Sequence, residues 1–214
     1  MSLDVKICGL STPETVRIAV EGGACAVGFV FYPPSPRAVG PEIASQLARQ
    51  LPTLTKSIGL FVDASDDEIG AVVARVPLNV LQLHGNETPR RVAAIRKRFD
   101  IAVMKAIRVA GREDLAVLSD YEAVADHILF DAKPPADAAA LPGGTGMSFD
   151  WKLLKGVRPA KPWMLSGGLT PENLAEAVAE SGARMVDVSS GVEERPGVKS
   201  PERIRAFLTA ASLL

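Results

Sequence analysis

Thiols and imidazoles are scarce in this chain, which has two cysteines, Cys8 and Cys25, and two histidines, His84 and His127, among 214 residues. Two cysteines are too few for a disulfide framework, and a reducing compartment keeps them as thiols. Cys25, inside the apolar run 24–30, reads as a small buried hydrophobe. Neither histidine has a second ligand at metal-binding spacing, so no zinc or iron site is expected. Charge imbalance is missing too: the net charge is -1, which gives no reason to expect nucleic acid or an anionic membrane as partner. No apolar run reaches the roughly 18 residues that span a bilayer, and the opening Met1-Ser2-Leu3-Asp4-Val5-Lys6 lacks the basic-then-apolar order of a secretory signal. A cytoplasmic protein is expected. No linker rich in Gly, Ser or Pro divides the chain, so residues 1–214 are expected to form one domain.

What is present is alternation. Eight apolar, β-rich runs recur at 5–8, 26–31, 57–62, 80–84, 102–107, 128–131, 163–166 and 185–188. Between them lie amphipathic helical patterns at 12–21, 41–50, 66–75, 87–98, 171–180 and 201–211, several opening on Ser, Thr or Asp before Pro or Glu, which is capping chemistry. At roughly 27 residues per βα unit, the pattern predicts an α/β protein of the (β/α)8 TIM-barrel type near its lower size limit. A doubly wound open sheet is the competing fold, but at this length it would use five or six strands.

In such a barrel every strand points its carboxyl end at one face, so polar residues there converge from distant parts of the sequence. On the first strand Lys6 and Cys8 share one face while Val5 and Ile7 share the other, which places a thiol at the catalytic end. The other candidates are Arg37 after strand two, Gln82 and His84 from strand four, Asp131 from strand six, and Asp187 and Ser189 from strand eight. After strands seven and eight stand Ser166-Gly167-Gly168-Leu169 and Ser189-Ser190-Gly191-Val192. Glycines there let backbone N–H groups close on a phosphate, so a phosphorylated small molecule is the expected partner. The stretch 132–147 is long for a connection and could cover an active site, with Gly143, Gly144 and Gly146 as pivots. Its Gly143-Gly144-Thr145-Gly146 run lacks both the P-loop ending and the dinucleotide-binding spacing, so no nucleotide cofactor is expected.

Cys8 and Asp131 are the proton-transfer candidates. At their ordinary pKa values of about 8.5 and 3.9 neither is in the state a base and an acid need at neutral pH. Burial beside Phe130 is expected to raise Asp131, and Lys6 on the same face is expected to draw Cys8 toward thiolate. The plain alternatives are a structural pair between Asp131 and Lys133, and a packed thiol.

Taken together, Lys6-Ile7-Cys8-Gly9, Gly28-Phe29-Val30-Phe31 with Ser35-Pro36-Arg37, Gly59-Leu60-Phe61-Val62, Leu81-Gln82-Leu83-His84-Gly85, Leu129-Phe130-Asp131, Gly143-Gly144-Thr145-Gly146 with Phe149-Asp150-Trp151, Leu165-Ser166-Gly167-Gly168-Leu169, and Val186-Asp187-Val188-Ser189-Ser190-Gly191-Val192-Glu193 with Pro196-Gly197-Val198-Lys199 resemble the phosphoribosylanthranilate isomerase family of the tryptophan pathway over essentially the whole chain. One departure is Ser200, where the family often has Asp; both cap a helix. The resemblance implies a cofactor-free Amadori rearrangement with Cys8 as general base and Asp131 as general acid. It also implies that Arg37 holds the anthranilate carboxylate, that Lys6, Gln82, His84 and Asp187 line the substrate, and that Gly144, Gly167, Gly168, Ser189, Ser190 and Gly191 hold the phosphate. A monomer or homodimer fits this expectation. A sister sugar-phosphate barrel, such as the histidine-pathway aminoaldose isomerase or indole-glycerol-phosphate synthase, and a catalytically silent phosphate-binding barrel are the alternatives.

Overall fold

The computed structural model describes residues 3–133 and 146–214. Eight parallel strands run in sequence order: β1 (Asp4–Cys8), β2 (Ala26–Val30), β3 (Lys56–Phe61), β4 (Val80–Leu83), β5 (Ala102–Val109), β6 (His127–Ala132), β7 (Trp163–Leu165) and β8 (Met185–Val188). Each pairs with the next, and β8 pairs back onto β1 with Lys6 opposite Asp187, closing a TIM barrel and excluding the open doubly wound sheet. β8 spans the expected residues, and the other strands differ from expectation by one or two residues at an end.

The helices are α1 (Pro13–Glu21), α2 (Pro41–Ala48), α3 (Asp66–Val73), α4 (Pro89–Phe99), α5 (Leu118–Glu122), α6 (Leu174–Ser181) and α7 (Pro201–Ser212). Local chemistry sets their starts. The Thr12, Ser65, Thr88 and Ser200 side chains accept a backbone N–H of the first turn, and Pro13, Pro89 and Pro201 stand next, where a missing N–H costs nothing. Two helices begin two or more residues later than their patterns predict. Glu87 turns inward to Lys105 at 2.7 Å and leaves Thr88 to cap α4. Before α6, the Asn173 side chain accepts from Thr170 N–H and donates to the Gly168 carbonyl, folding 168–173 into a turn. Helix α5, five residues behind a 3-10 turn (Arg112–Val117), is too short to show periodicity and was not anticipated. Nor was the small hairpin of β9 (Glu193–Arg195) and β10 (Val198–Lys199). Among the described residues, no helix is long and apolar enough to cross a membrane.

Alternation along the strands splits the core in two. Outward residues such as Val5, Ile7, Phe29, Leu81, Phe130 and Val186 pack under Val16, Ile69, Val92, Ile95 and Phe207 of the helices. Inside the barrel, Ala26, Ile58, Val80, Met104, Leu129 and Met164 form a separate apolar plug. Above that plug the inward positions turn polar, and Lys6, Gln82, Asp131 and Asp187 are all buried. Each fully buried Leu, Ile or Val contributes about 1.5–3 kcal/mol relative to exposure, so both layers favour folding. The polar storey above requires partners for every charge.

Candidate active site

Strand alternation puts Lys6 and Cys8 inside the barrel and Val5 and Ile7 against the helices, as the sequence implies. Lys6 is fully buried, and its Nζ donates to Asp187 Oδ1 at 2.8 Å. Burial opposes the ammonium charge, but Asp187 and the neighbouring Cys8 outweigh it and hold the lysine above its ordinary pKa. The structure corrects the expectation for Cys8. Burial pushes the thiol up, and the charges of Lys6 and Lys199 offset only part of that, because Asp187 already occupies the Lys6 ammonium and itself disfavours a second negative charge. The resting group is the thiol. Gly28, opposite Cys8 in the β1–β2 register, makes room for it: a β-carbon there would stand 2.8 Å from Cys8 Sγ and 3.2 Å from Lys6 Cε.

Arg37 belongs to a cluster that sequence reasoning did not anticipate. Its Nε and Nη2 donate to the two oxygens of Glu193 at 2.7 and 2.8 Å, a planar fork on a carboxylate. Lys199 Nζ donates to Glu193 Oε1 at 2.7 Å and to the Ser189 carbonyl at 2.8 Å. All three charged side chains are buried. Burial works against the charge on Glu193, yet the Arg37 hydrogen bond and the Lys199 charge hold its carboxyl below the ordinary value. The signal was in the sequence as a charged pair, Glu193 and Lys199, flanking Pro196-Gly197 directly after a barrel strand. At Gly197 φ is +83° and a side chain would overlap the Pro36 carbonyl, so the hairpin tip lies directly against the segment that carries Arg37.

Across the mouth, His84 bridges two expected residues. Its Nε2 lies 2.9 Å from Asp131 Oδ2, and its Nδ1 lies 3.0 Å from Gln82 Nε2. Asp131 does not pair with Lys133, whose Nζ donates to Asp114 Oδ1 at 2.5 Å. Arg108 donates to the His84 carbonyl at 2.9 Å, and Lys105 to the carbonyls of Leu83 and Gly85 on either side, which fixes the backbone that presents the imidazole.

The glycine end follows. Gly167 and Gly168 have φ of +92° and +63°, which non-glycine residues rarely adopt, and a β-carbon on Gly167 would fall 2.7 Å from the Ala132 amide nitrogen. Ser189 Oγ donates to the Cys8 carbonyl at 3.1 Å, tying β8 to β1. Gly167, Gly168, Ser189 and Ser190 line one small hollow. Gly191 is not part of that lining; it packs against Leu169, whose carbonyl a side chain would overlap. Gly144 and most of the 132–147 stretch lie outside the described residues. A second hollow is lined by Cys8, Arg37, His84, Asp131, Asp187 and Ser189 among others, and the two share Asp131, Ser166, Asp187 and Ser189. The two hollows adjoin at the barrel mouth, with a thiol from β1 and a carboxyl from β6 on their walls.

The family model for N-(5'-phosphoribosyl)anthranilate (PRA) isomerase matches residues 5–210. The N-(5'-phosphoribosyl)anthranilate isomerase of Rhodospirillum centenum is 55% identical over 214 residues, covering 100% of both chains. The crystal structure of phosphoribosyl anthranilate isomerase from Thermotoga maritima is 38% identical with a TM-score of 0.87, covering 99% of this chain and 100% of that one. A structure of the same kind of enzyme in complex with reduced 1-(o-carboxyphenylamino)-1-deoxyribulose 5-phosphate is 37% identical with a TM-score of 0.85, at 99% and 100% coverage. Its own barrel, its cleft and these likenesses agree: the chain belongs to the phosphoribosylanthranilate isomerase family.

Proposed function

We propose that the protein isomerises N-(5-phosphoribosyl)anthranilate to 1-(2-carboxyphenylamino)-1-deoxyribulose 5-phosphate, the Amadori step of tryptophan biosynthesis. The observation that carries this reading is the shared cleft, in which Cys8 and Asp131 stand on different walls with the Gly167–Gly168 turn at one end. In this reading Asp131 protonates the furanose ring oxygen, the ring opens to an iminium, and Cys8 removes the C2 proton to give an enolamine that tautomerises to the ketone. Proton transfers suffice, so no cofactor is invoked. Because burial keeps Cys8 protonated, its proton must first pass to solvent, and turnover is expected to rise with pH. The iminium, a cation formed beside the sulfur, adds to Lys6 and Lys199 in favouring the thiolate.

The phosphate fits backbone N–H groups around Gly167, Gly168, Ser189 and Ser190. Arg37 is the anthranilate-carboxylate group, held in its plane by Glu193, while Asp187 lines the sugar and Lys6 supports it from the buried side, beside Cys8. The protein is expected to act as one domain in the cytoplasm, as a monomer or homodimer, on a phosphorylated aminosugar rather than on nucleic acid or a membrane. The test is a steady-state assay that follows loss of substrate fluorescence, run beside the aminoaldose of the histidine pathway. Turnover of the first is expected. Activity on the second alone, or none on either with folded protein, would overturn the assignment.

A further inference from the structure

Gln82 is fully buried, and among the described residues its amide has His84 as partner at one end and none at the other: Nε2 lies 3.0 Å from His84 Nδ1, and Oε1 is unpartnered. Buried amides rarely lack a partner, and no described residue prefers one orientation, since a half-turn of the amide leaves one atom on His84 and orphans the other. The state of the imidazole alone therefore sets the way Gln82 points. His84 in turn touches Asp131 through Nε2 at 2.9 Å. We infer that Gln82, His84 and Asp131 form a two-state proton store, in which the Gln82 amide turns over each time the acid is discharged and recharged, with His84 and Gln82 as positioning residues that act through Asp131.

The two states differ by one proton. With one proton on the pair, the Asp131 carboxylate can only accept, so His84 carries its hydrogen on Nε2, and its bare Nδ1 accepts from Gln82 Nε2–H. With two protons, the pair is either imidazolium and carboxylate or neutral imidazole and carboxylic acid. In both forms Nδ1 bears hydrogen and needs an acceptor, which Gln82 Oε1 supplies after the half-turn. Giving a proton to a ring oxygen converts the second state into the first, and taking one from solvent restores it. Nε2 toward Nδ1 is the arrangement that the one-proton state requires. An amide suits both states because it can donate or accept, whereas an acid or an alkyl group suits at most one.

The charged and titratable groups around this unit are Cys8 from β1, Tyr32 and Arg37 after β2, Lys105 with Glu87 and Arg108 beside the His84 backbone, and Asp187 from β8. Among the described residues, the Gln82 amide meets the His84 ring at Nδ1 and the ring meets Asp131 at Nε2. The proposal rests on the reading of Asp131 as the acid, but its test does not need activity.

With only two histidines, 15N-histidine labelling gives two ring systems, and His127→Gln assigns His84. At high pH, His84 is expected to show hydrogen on Nε2 and a bare Nδ1, with Nδ1 gaining hydrogen as pH falls. Gln82→Glu, whose carboxylate can only accept, is expected to raise that midpoint by about one pH unit, a tenfold change in proton affinity. In turnover, the matching limb of the kcat profile should move the same way with KM changed less than about threefold. Hydrogen on Nδ1 with bare Nε2 at high pH would overturn the inference. So would a midpoint that stays put in both Gln82→Glu and the near-isosteric Gln82→Met, since Gln82 would then only fill space. If the midpoint moves but Asp131→Asn retains full turnover, the proton store stands and the assignment of the acid falls.

Discussion

The lower and upper storeys of the barrel interior are built from the same strands by opposite chemistry. Below, Ala26, Ile58, Val80, Met104, Leu129 and Met164 fill the barrel with hydrocarbon. Above, Gln82 and Asp131 stand two residues beyond Val80 and Leu129 on β4 and β6, and with Lys6 and Asp187 of β1 and β8 they place charge and amide in a buried space. Desolvating a charge costs several kcal/mol unless it is paired, and the pairings Lys6–Asp187 at 2.8 Å and Arg37–Glu193 at 2.7 Å offset that cost without making it a gain. The lower storey therefore holds the fold, and the upper one consumes part of that stability to keep reactive groups in fixed positions.

Substitutions can separate the two roles. The largest effect is expected from Cys8→Ala and Asp131→Asn, each lowering kcat by about 10²–10⁴-fold, while melting temperatures stay within a few degrees of the parent protein. Steady-state kinetics beside thermal melts checks both. Leu129→Ala should do the reverse, losing about 2–5 kcal/mol in urea unfolding while the folded fraction keeps its turnover. Glu193→Ala strands the buried Arg37 and Lys199 charges together and should cost about 3–5 kcal/mol and raise KM, with Glu193→Gln milder on both counts.

That cluster has a pH signature. The Glu193 carboxyl is held below its unfolded value, so its contribution to stability is present above that value and is lost as pH falls through the folded one. The stability difference between the parent protein and Glu193→Gln should shrink in acid, measured by unfolding from mildly acidic pH down through the carboxylate range. An unchanged gap would place the charge of Glu193 outside the energetics. A smaller effect is expected from Gly28→Ala, whose β-carbon meets Cys8 Sγ: about 1–3 kcal/mol of overpacking and a lower kcat at near-constant KM. The smallest concerns reactivity alone. Alkylation of Cys8 by iodoacetamide should be slow at neutral pH and keep rising beyond about pH 8.5, the ordinary thiol value; a plateau near neutrality would contradict the buried thiol.

Much of this was legible in the sequence because two periodicities carry it. Alternation along 5–8 put Cys8 and Lys6 inside, and the run of βα units implied closure, so the inward positions of distant strands could be gathered at one mouth. The glycine turn after β7 was readable for a similar reason, since consecutive glycines at a strand end mark positive φ. The electrostatics were not legible. The effect of Lys6 on Cys8 depends on where Asp187 sits, and Asp187 is opposite Lys6 only once β8 closes on β1. Glu193 was hidden because a three-residue strand leaves no periodic trace, and its partner Arg37 is 156 residues away. That Gln82 and His84 point to the same end of the barrel was readable from β4, whereas their chain of contact to Asp131 is tertiary.

Strand β6 holds both roles two residues apart on one face, so a single pair of variants tests the division most directly. Measured side by side for turnover of N-(5-phosphoribosyl)anthranilate and for urea unfolding, Asp131→Asn should lose activity and keep its stability, and Leu129→Ala should lose stability and keep its activity. An Asp131→Asn protein that turns over normally, or one that is inactive only because it has unfolded, would contradict the account.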